Sequence, residues 1–202
     1  MQIKLKDIVL RDPKECDMAD DARWVLTDNE WHDWDAPWEK QEDIESYNLD
    51  EEREKALKKI RHNGENPDKI RYSFELDFMD AHIGGVNCYM TNEDYDYTKE
   101  NDGVYYTVGI DICEKEYQGR GIGTVTLCAF IKYLIDNGCD KICTQTWSGN
   151  FRMIKLAEKL GFYEVKRIKD KRFVNGKNYD GLTFKLDNIK FERFYQLLIQ
   201  TD

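Results

Sequence analysis

The sequence predicts one mixed α/β domain. Three observations lead there. Strand-like and helix-like segments follow one another in the order β-α-α-β-β-β-α-β-α-β-β, one strand runs straight into a glycine-rich turn and a helix, and no repeat or low-complexity linker divides the chain. With 202 residues the chain can bury one sizeable core and is marginal for two.

The elements follow from local pattern. Residues 3–10 alternate apolar and charged side chains and read as a strand. Asp12-Pro13 opens a helix to about Leu26. Trp31, Trp34 and Trp38 then alternate with Asp33, Asp35 and Glu39, and Pro37 makes this segment a loop. A charged helix spans residues 43–62 and stops at Asn63-Gly64. Residues 70–78 and 82–90 read as strands, the second interrupted by Gly84-Gly85, which marks a bulge or a close backbone approach. Residues 91–103 are acidic and aromatic, with Asn101-Asp102-Gly103 as a turn. A strand at 104–113 precedes the glycine turn. The helix after that turn carries Leu127, Ile131, Leu134 and Ile135 on one face and ends at Asn137-Gly138. A strand at 141–147, a helix from Asn150 to Leu160, strands at 162–169 and 178–187 and a terminal helix from Ile189 to Gln200 complete the chain.

Composition narrows the function classes. The chain has 30 Lys+Arg against 40 Asp+Glu, a net charge of -10, which repels nucleic acid and favours cationic partners. No stretch approaches the roughly 20 apolar residues of a membrane span, and the first residues lack the apolar core of an export signal. Six cysteines without a Cys-x-x-Cys pair read as free thiols in a reducing cytoplasm. His32, His62 and His82 show no metal-ligand spacing, so no metal is expected.

The candidate ligand site is Gln118-Gly119-Arg120-Gly121-Ile122-Gly123, running into the helix at Thr124. Backbone N–H groups converge at a helix start, the helix dipole adds about half a positive charge, and glycines let a pyrophosphate come close. A dinucleotide fold would need Gly-x-Gly-x-x-Gly, whereas Thr126 stands at the third glycine position, and no Gly-x-x-x-x-Gly-Lys-Ser/Thr string occurs.

This loop resembles the Gln/Arg-x-x-Gly-x-Gly/Ala signature of the GNAT superfamily of acetyl-CoA-dependent N-acetyltransferases. Trp147-Ser148-Gly149-Asn150 and Glu158-Lys159-Leu160-Gly161-Phe162 resemble its second block at the expected separation. Leu156-Ala157-Glu158-Lys159-Leu160-Gly161-Phe162 is similar to the ribosomal-protein N-terminal acetyltransferase branch, and Val108-Gly109-Ile110-Asp111-Ile112 to a strand of aminoglycoside N-acetyltransferases. The resemblance implies an acyl-CoA N-acyltransferase fold: a mostly antiparallel sheet of six to seven strands with two splayed neighbours, about four flanking helices and a C-terminal helix. Within the single domain, residues 1–100 form the acceptor side, 104–187 the acetyl-CoA-binding half and 189–202 the terminal helix.

The resemblance further implies that pantetheine bonds to the strand at about Ile112 and Cys113, that the pyrophosphate sits on Gln118 to Gly123, and that Asn150 touches the cofactor while also suiting a helix N-cap. An amine would attack the thioester directly, with Asp111 as candidate base, Glu75 and Glu114 as lesser candidates, or a water relay. Many relatives carry a Tyr as general acid where this chain has Ala157. That departure keeps a non-catalytic acyl-CoA-binding module open as the alternative. On the acceptor side, Trp31, Trp34 and Asp35 suit a cationic amine, whether polyamine, aminoglycoside or protein N-terminus, although the tryptophans could equally pack the loop onto the core. Action alone or as a homodimer stays open.

Overall fold

A computed structural model describes residues 1–99 and 102–200. Eight strands form one sheet in the order β1-β2-β3-β4-β5-β6-β8-β7. In chain order these are β1 (Gln2–Leu5), β2 (Ile8–Arg11), α1 (Asp17–Leu26), α2 (Lys40–Ser46), α3 (Leu49–Glu65), β3 (Ser73–Phe78), β4 (Ala81–Thr91), β5 (Tyr105–Ile112), α4 (Ile122–Asp136), β6 (Ile142–Trp147), α5 (Phe151–Lys159), β7 (Phe162–Val174), β8 (Lys177–Leu186) and α6 (Asn188–Gln200). The mixed α/β class and the mostly antiparallel sheet agree with the sequence reading, with one strand and one helix more than expected.

The extra strand lies at the start. Residues 3–10 form a hairpin, because Lys6 adopts a φ of 53° and the chain reverses through Lys6-Asp7. No Gly, Asn or Pro announces that turn. The extra helix comes from the segment 43–62, which is two helices. Tyr47 is extended, and the Asn48 side chain caps α3 by accepting from the Asp50 and Glu51 amides at 3.1 and 3.3 Å. Asn63-Gly64 does not end α3. Asn63 is buried there and donates to Asp12 (3.1 Å), so the helix continues to Glu65. Helix α1 starts five residues after Asp12, where Asp17 accepts from the Lys14 amide at 2.6 Å. The Trp-rich loop contains a short 3-10 turn, Asn29–Asp33. The closing strands are longer than expected because Asn175-Gly176 (φ 49° and 79°) makes a tight hairpin turn. Of the expected Asn101-Asp102-Gly103 turn, Asn101 lies outside the described residues.

The core lies between one face of the sheet and α4. That helix buries Leu127, Phe130, Ile131 and Leu134 completely against Leu10, Phe74, Leu76 and Ile83. Helices α1–α3 cover the other face, which is polar. On it Glu75, Gly85 and Asp111 share one cross-strand row. Arg11 anchors α1 to this face. It is bidentate to Asp17 (2.7 and 2.8 Å) and bonds Asp77 at 2.6 Å, with all three side chains buried or nearly so.

One junction of the sheet is parallel, that of β5 with β6, and it holds only Tyr106↔Ile142 and Thr107↔Cys143. Beyond those two rungs the strands diverge and leave a slot.

Removing Arg11 would strand two buried carboxylates. Arg11→Met is expected to lower unfolding free energy by about 3–5 kcal/mol, the usual cost of breaking a buried pair from one side. Urea denaturation checks this; a change under about 1 kcal/mol would show that α1 is held by apolar packing instead.

Candidate functional site

The slot is lined by the edge of β5 that lost its partner. The Tyr106 amide bonds the Lys141 carbonyl at 2.9 Å, so even-numbered residues of β5 turn their polar backbone groups toward β6. Thr144 Oγ1 donates to the Val108 carbonyl at 2.8 Å and Gln118 Nε2 to the Ile112 carbonyl at 2.8 Å. Ile110, between them, turns its N–H and C=O into the slot. Cys113 does not: its amide bonds the Ile83 carbonyl at 2.8 Å on the opposite side. Burial, with nearby carboxylates, pushes its thiol far above the usual range, and its amide, spent on β4, is not offered to the slot.

A cavity of about 660 Å³ opens on one side of the slot. Its wall includes Gln118, Gly119, Gly121, Gly123 and Thr124 from the glycine turn and Asn150 from the start of α5. Gly119 and Gly121 have φ of 71° and 82°, and a Cβ on either would meet no protein atom within 4 Å. Among the described residues the amides of Gly119, Arg120 and Gly121 bond no backbone carbonyl. Together with the first free amides of α4 they form an anion cradle. Asn150 caps α5 through the Met153 amide at 2.9 Å and is also part of the wall. Arg120 turns away, its guanidinium lying over the Phe78 and Tyr117 rings, and Ile122 is core.

The cations of this cavity are Lys115, Arg152, Lys155 and Lys159. Three of them sit at i, i+3 and i+7 on α5, a spacing readable in the sequence but not singled out there. Arg152 bonds Gln118 Oε1 at 2.6 Å and stacks over Trp34 at 3.8 Å.

A second cavity of about 330 Å³ lies across the slot, among Asp35, Glu39, Asn87, Tyr89, Tyr95, Lys171 and Arg172. Asp35, Gly109, Ile110, Asp111, Gln145 and Thr146 border both cavities. Tyr89 went unrecognised in the sequence, whereas Tyr95 belongs to the acidic and aromatic stretch noted there; Gln145 holds both, accepting from the Tyr89 hydroxyl at 3.1 Å and donating to the Tyr95 carbonyl at 2.7 Å.

Burial, and then the nearby Asp35 charge, push the Asp111 carboxyl well above the usual carboxylate range. Asp35 faces the open cavity, yet enough protein surrounds it that burial and the charges of Glu39 and Asp43 push it up to about 6. Both carboxyls thus hold their protons more tightly than a free carboxylate, and the Asp35 charge adds to the shift of Asp111. The lesser candidates are engaged elsewhere. Glu114 accepts from Arg23 and from Trp24 Nε1 (2.9 Å). Glu75 lies 3.5 Å from His82 Nε2 and 3.7 Å from Lys59. Asp21, Glu75 and His82 bring their donor atoms within 4.8 Å of one another.

Of the tryptophans, Trp31 donates to the Trp24 carbonyl at 2.9 Å while its ring borders the larger cavity. The Trp34 ring is also on the larger cavity, and Trp38 borders the smaller one. Ala157 is wholly buried and presents no group to the slot. All six cysteines are free, and among the described residues no helix is long and apolar enough to cross a membrane.

Comparison with known proteins gives a consistent picture. The model of the acetyltransferase (GNAT) domain matches residues 7–163. A mycothiol acetyltransferase from Corynebacterium aurimucosum is 26% identical over 151 residues, covering 70% of this chain but only 42% of that protein. The chain thus spans less than half the length of that relative. Among solved structures, a RimL ribosomal L7/L12 alpha-N-protein acetyltransferase in complex with coenzyme A superposes with a TM-score of 0.68 at 15% identity, over 92% of this chain and 97% of that one. A spermidine N-acetyltransferase SpeG chimera from Vibrio cholerae and hSSAT does so with 0.63 at 18% identity, over 93% and 99%.

The raised pair has a thermodynamic consequence. A carboxyl whose pKa rises on folding binds its proton more tightly in the folded chain. Its contribution to stability is complete below the unfolded carboxylate range near 4 and is lost as pH rises through about 6 and beyond. Asp111→Asn is therefore expected to raise the melting temperature at pH 7.5 by about 2–4 °C per kcal/mol relieved, and to do nothing at pH 4. Calorimetric scans at both pH values check it; a lower melting temperature at pH 7.5 would mean that Asp111 is stabilised as an anion.

Proposed function

Since the chain belongs to the GNAT acetyltransferase family, we propose that it transfers the acetyl group of acetyl-CoA to a primary amine entering from the smaller cavity. The observation that carries this reading is the slot itself, a break in the sheet where two cavities meet over the same six residues, with the glycine turn in the wall of the larger one. Acetyl-CoA would lie on the larger side, with its pyrophosphate on the Gln118–Gly123 turn and Lys155, Arg152 and Lys159 near its phosphates. Its pantetheine arm would pair with the free edge of β5 at Ile110 and Ile112.

The acceptor arrives as an ammonium ion, a cationic small molecule or a protein N-terminus, and meets Asp35 and Asp111. Between two carboxyls that resist carrying charge together, a cation is strongly favoured. Asp111 then accepts the ammonium proton, directly or through water, and the neutral nitrogen attacks the thioester carbon. A tetrahedral intermediate forms, its oxyanion facing slot amides such as that of Ile110. The carbon–sulfur bond breaks, the coenzyme A thiolate leaves with the bonding pair, and the excess proton still on the nitrogen passes to that thiolate or to water, leaving the amide. A thiolate leaves readily, which makes Ala157 compatible with turnover. The alternative, a non-catalytic acyl-CoA-binding module, predicts coenzyme A binding without thiol release. A cytoplasmic location is part of the same proposal, in keeping with the free cysteines.

Thiol release from acetyl-CoA over a mixed panel of amines tests the activity. Gly121→Asp is expected to abolish coenzyme A binding by calorimetry, since it puts a side chain and a negative charge on the cradle; unchanged affinity would place the cofactor elsewhere.

With an acceptor in hand, Asp111→Asn is expected to lower kcat about 10²–10⁴-fold. In the parent, kcat/KM should fall as pH drops through the range where the pair takes up protons. Asp35→Asn removes the charge that raises Asp111, so it should shift that fall to lower pH. A shift to higher pH, or none, would remove Asp35 and Asp111 from the role of a pair.

A further inference from the structure

The smaller cavity is not uniformly acidic. Besides Asp35 and Asp111 its wall carries Lys171 and Arg172. Among the described residues neither forms an ion pair. Their neighbours in β7 differ: Lys166 is drawn to the Asp94 carbonyl and Asp96, and Arg167 to Glu164 and Asp180. Two unpaired cations beside such an abundance of carboxylates are unexpected in a chain of net charge -10.

The backbone is built to present them. The β7–β8 register shifts once between Glu164 and Lys166, reaches Ile168↔Gly181 and resumes only at Arg172↔Tyr179, so the segment between them bulges out of the ladder. Asp170 at its tip has a φ of 51°, held by its amide bonding Asp180 Oδ1 at 3.2 Å. Such bulges re-aim side chains beside functional sites. Gly181 opposite supplies the room, since a Cβ there would lie 2.5 Å from Cδ of Lys171. The Arg172 guanidinium is fixed 4.1 Å over the Trp38 ring, which orients its planar donors without neutralising them.

We propose that Lys171 and Arg172 form a carboxylate subsite, so that the preferred acceptor is a peptide N-terminus followed within one or two residues by an acidic side chain. The spacing follows from the cavity: about 330 Å³ is at the small end of ligand pockets, so amine and carboxylate must be only a few bonds apart. The ammonium lies at Asp35 and Asp111, and the acid lies at the bulge. A linear polyamine would place its second cation against Lys171 and Arg172 and is disfavoured. This inference rests on the smaller cavity being the acceptor side.

Three tripeptide amides with free N-termini test it, carrying glutamate, glutamine or lysine as second residue. Their binding is measured by calorimetry in the presence of coenzyme A, and their acetylation by thiol release. The glutamate peptide is expected to bind the parent at least tenfold tighter than the other two. The double variant Lys171→Gln/Arg172→Gln should erase that preference, whereas Lys177→Gln, on the same hairpin but away from the cavity, should keep it. Lys171→Glu, a change at an exposed position, should turn the preference toward the lysine peptide and decides the matter if the double variant does not fold. Equal binding of the three peptides by the parent, no binding of any, or a preference that survives in the variants overturns the subsite. Binding with the glutamate preference but without thiol release leaves the subsite standing and removes the transferase reading; acetylation without preference does the reverse.

Discussion

Everything near the slot depends on where β5 and β6 stop pairing. Two parallel rungs hold them, and then each strand faces a gap. A buried backbone group without a partner costs about 1–3 kcal/mol, so the divergence must be supported. Thr144 and Gln118 take the carbonyls at Val108 and Ile112, one at each end of the opening. On the other side β5 is pressed against β4. A Cβ on Gly84 would sit 2.0 Å from the Asp111 carbonyl oxygen, so only glycine fits where β5 leans away from β6. The sheet thus closes tightly on one side of β5 because it opens on the other, and Asp111 lies at the pivot.

The same opening gathers charges of both signs. Lys155, Lys159 and Arg152 border the cavity on one side, and Asp35 and Asp111 lie at the border with the other. Net charge conceals this arrangement entirely. Holding two carboxyls in a partly dry place opposes folding at neutral pH, and the ion-pair network under α1 acts against that strain by fixing the helix from whose end the Trp31–Glu39 loop runs to the site. Arg11 on β2 reaches Asp17 of α1 and Asp77 of β3, so one guanidinium ties that helix to the sheet.

The fold class and the glycine turn were legible in the sequence because each rests on short-range pattern: strand, turn and helix lie within about twenty residues of one another, and Gly84-Gly85 correctly marked a close approach. What stayed hidden depends on distance. In the Lys6-Asp7 turn the positive φ falls on Lys6, a residue type that does not favour it, so the reversal there leans on the pairing of β2 with β3. Asn63-Gly64 carried a stop signal that tertiary contact overrode, since Asn63 is held by Asp12 and its carbonyl by Arg71. Asp111 could be singled out, but not its partner Asp35, which comes from a loop seventy-six positions earlier and had been read only as an acceptor contact. Tyr89, Tyr95, Lys171 and Arg172 meet across strands that no local pattern places together.

The tryptophan loop shows how a correct chemical cue can be satisfied inside the molecule. Alternating rings and carboxylates suit cations, and cations do sit on the rings, but they belong to the protein: Arg152 lies over Trp34 and Arg172 over Trp38. The first guanidinium comes from α5 beside the larger cavity and the second from the β7 bulge beside the smaller. The loop therefore clasps one arginine from each side of the slot, and the Trp34 carbonyl, accepting from Trp147 Nε1 at 2.9 Å, pins it to the end of β6. Asp35 lies between the two stacked rings in sequence and borders both cavities. With the Trp34 and Trp38 faces already occupied, what this loop leaves for a ligand is Trp31 and its carboxylates, Asp33 on the larger cavity, Glu39 on the smaller and Asp35 on both.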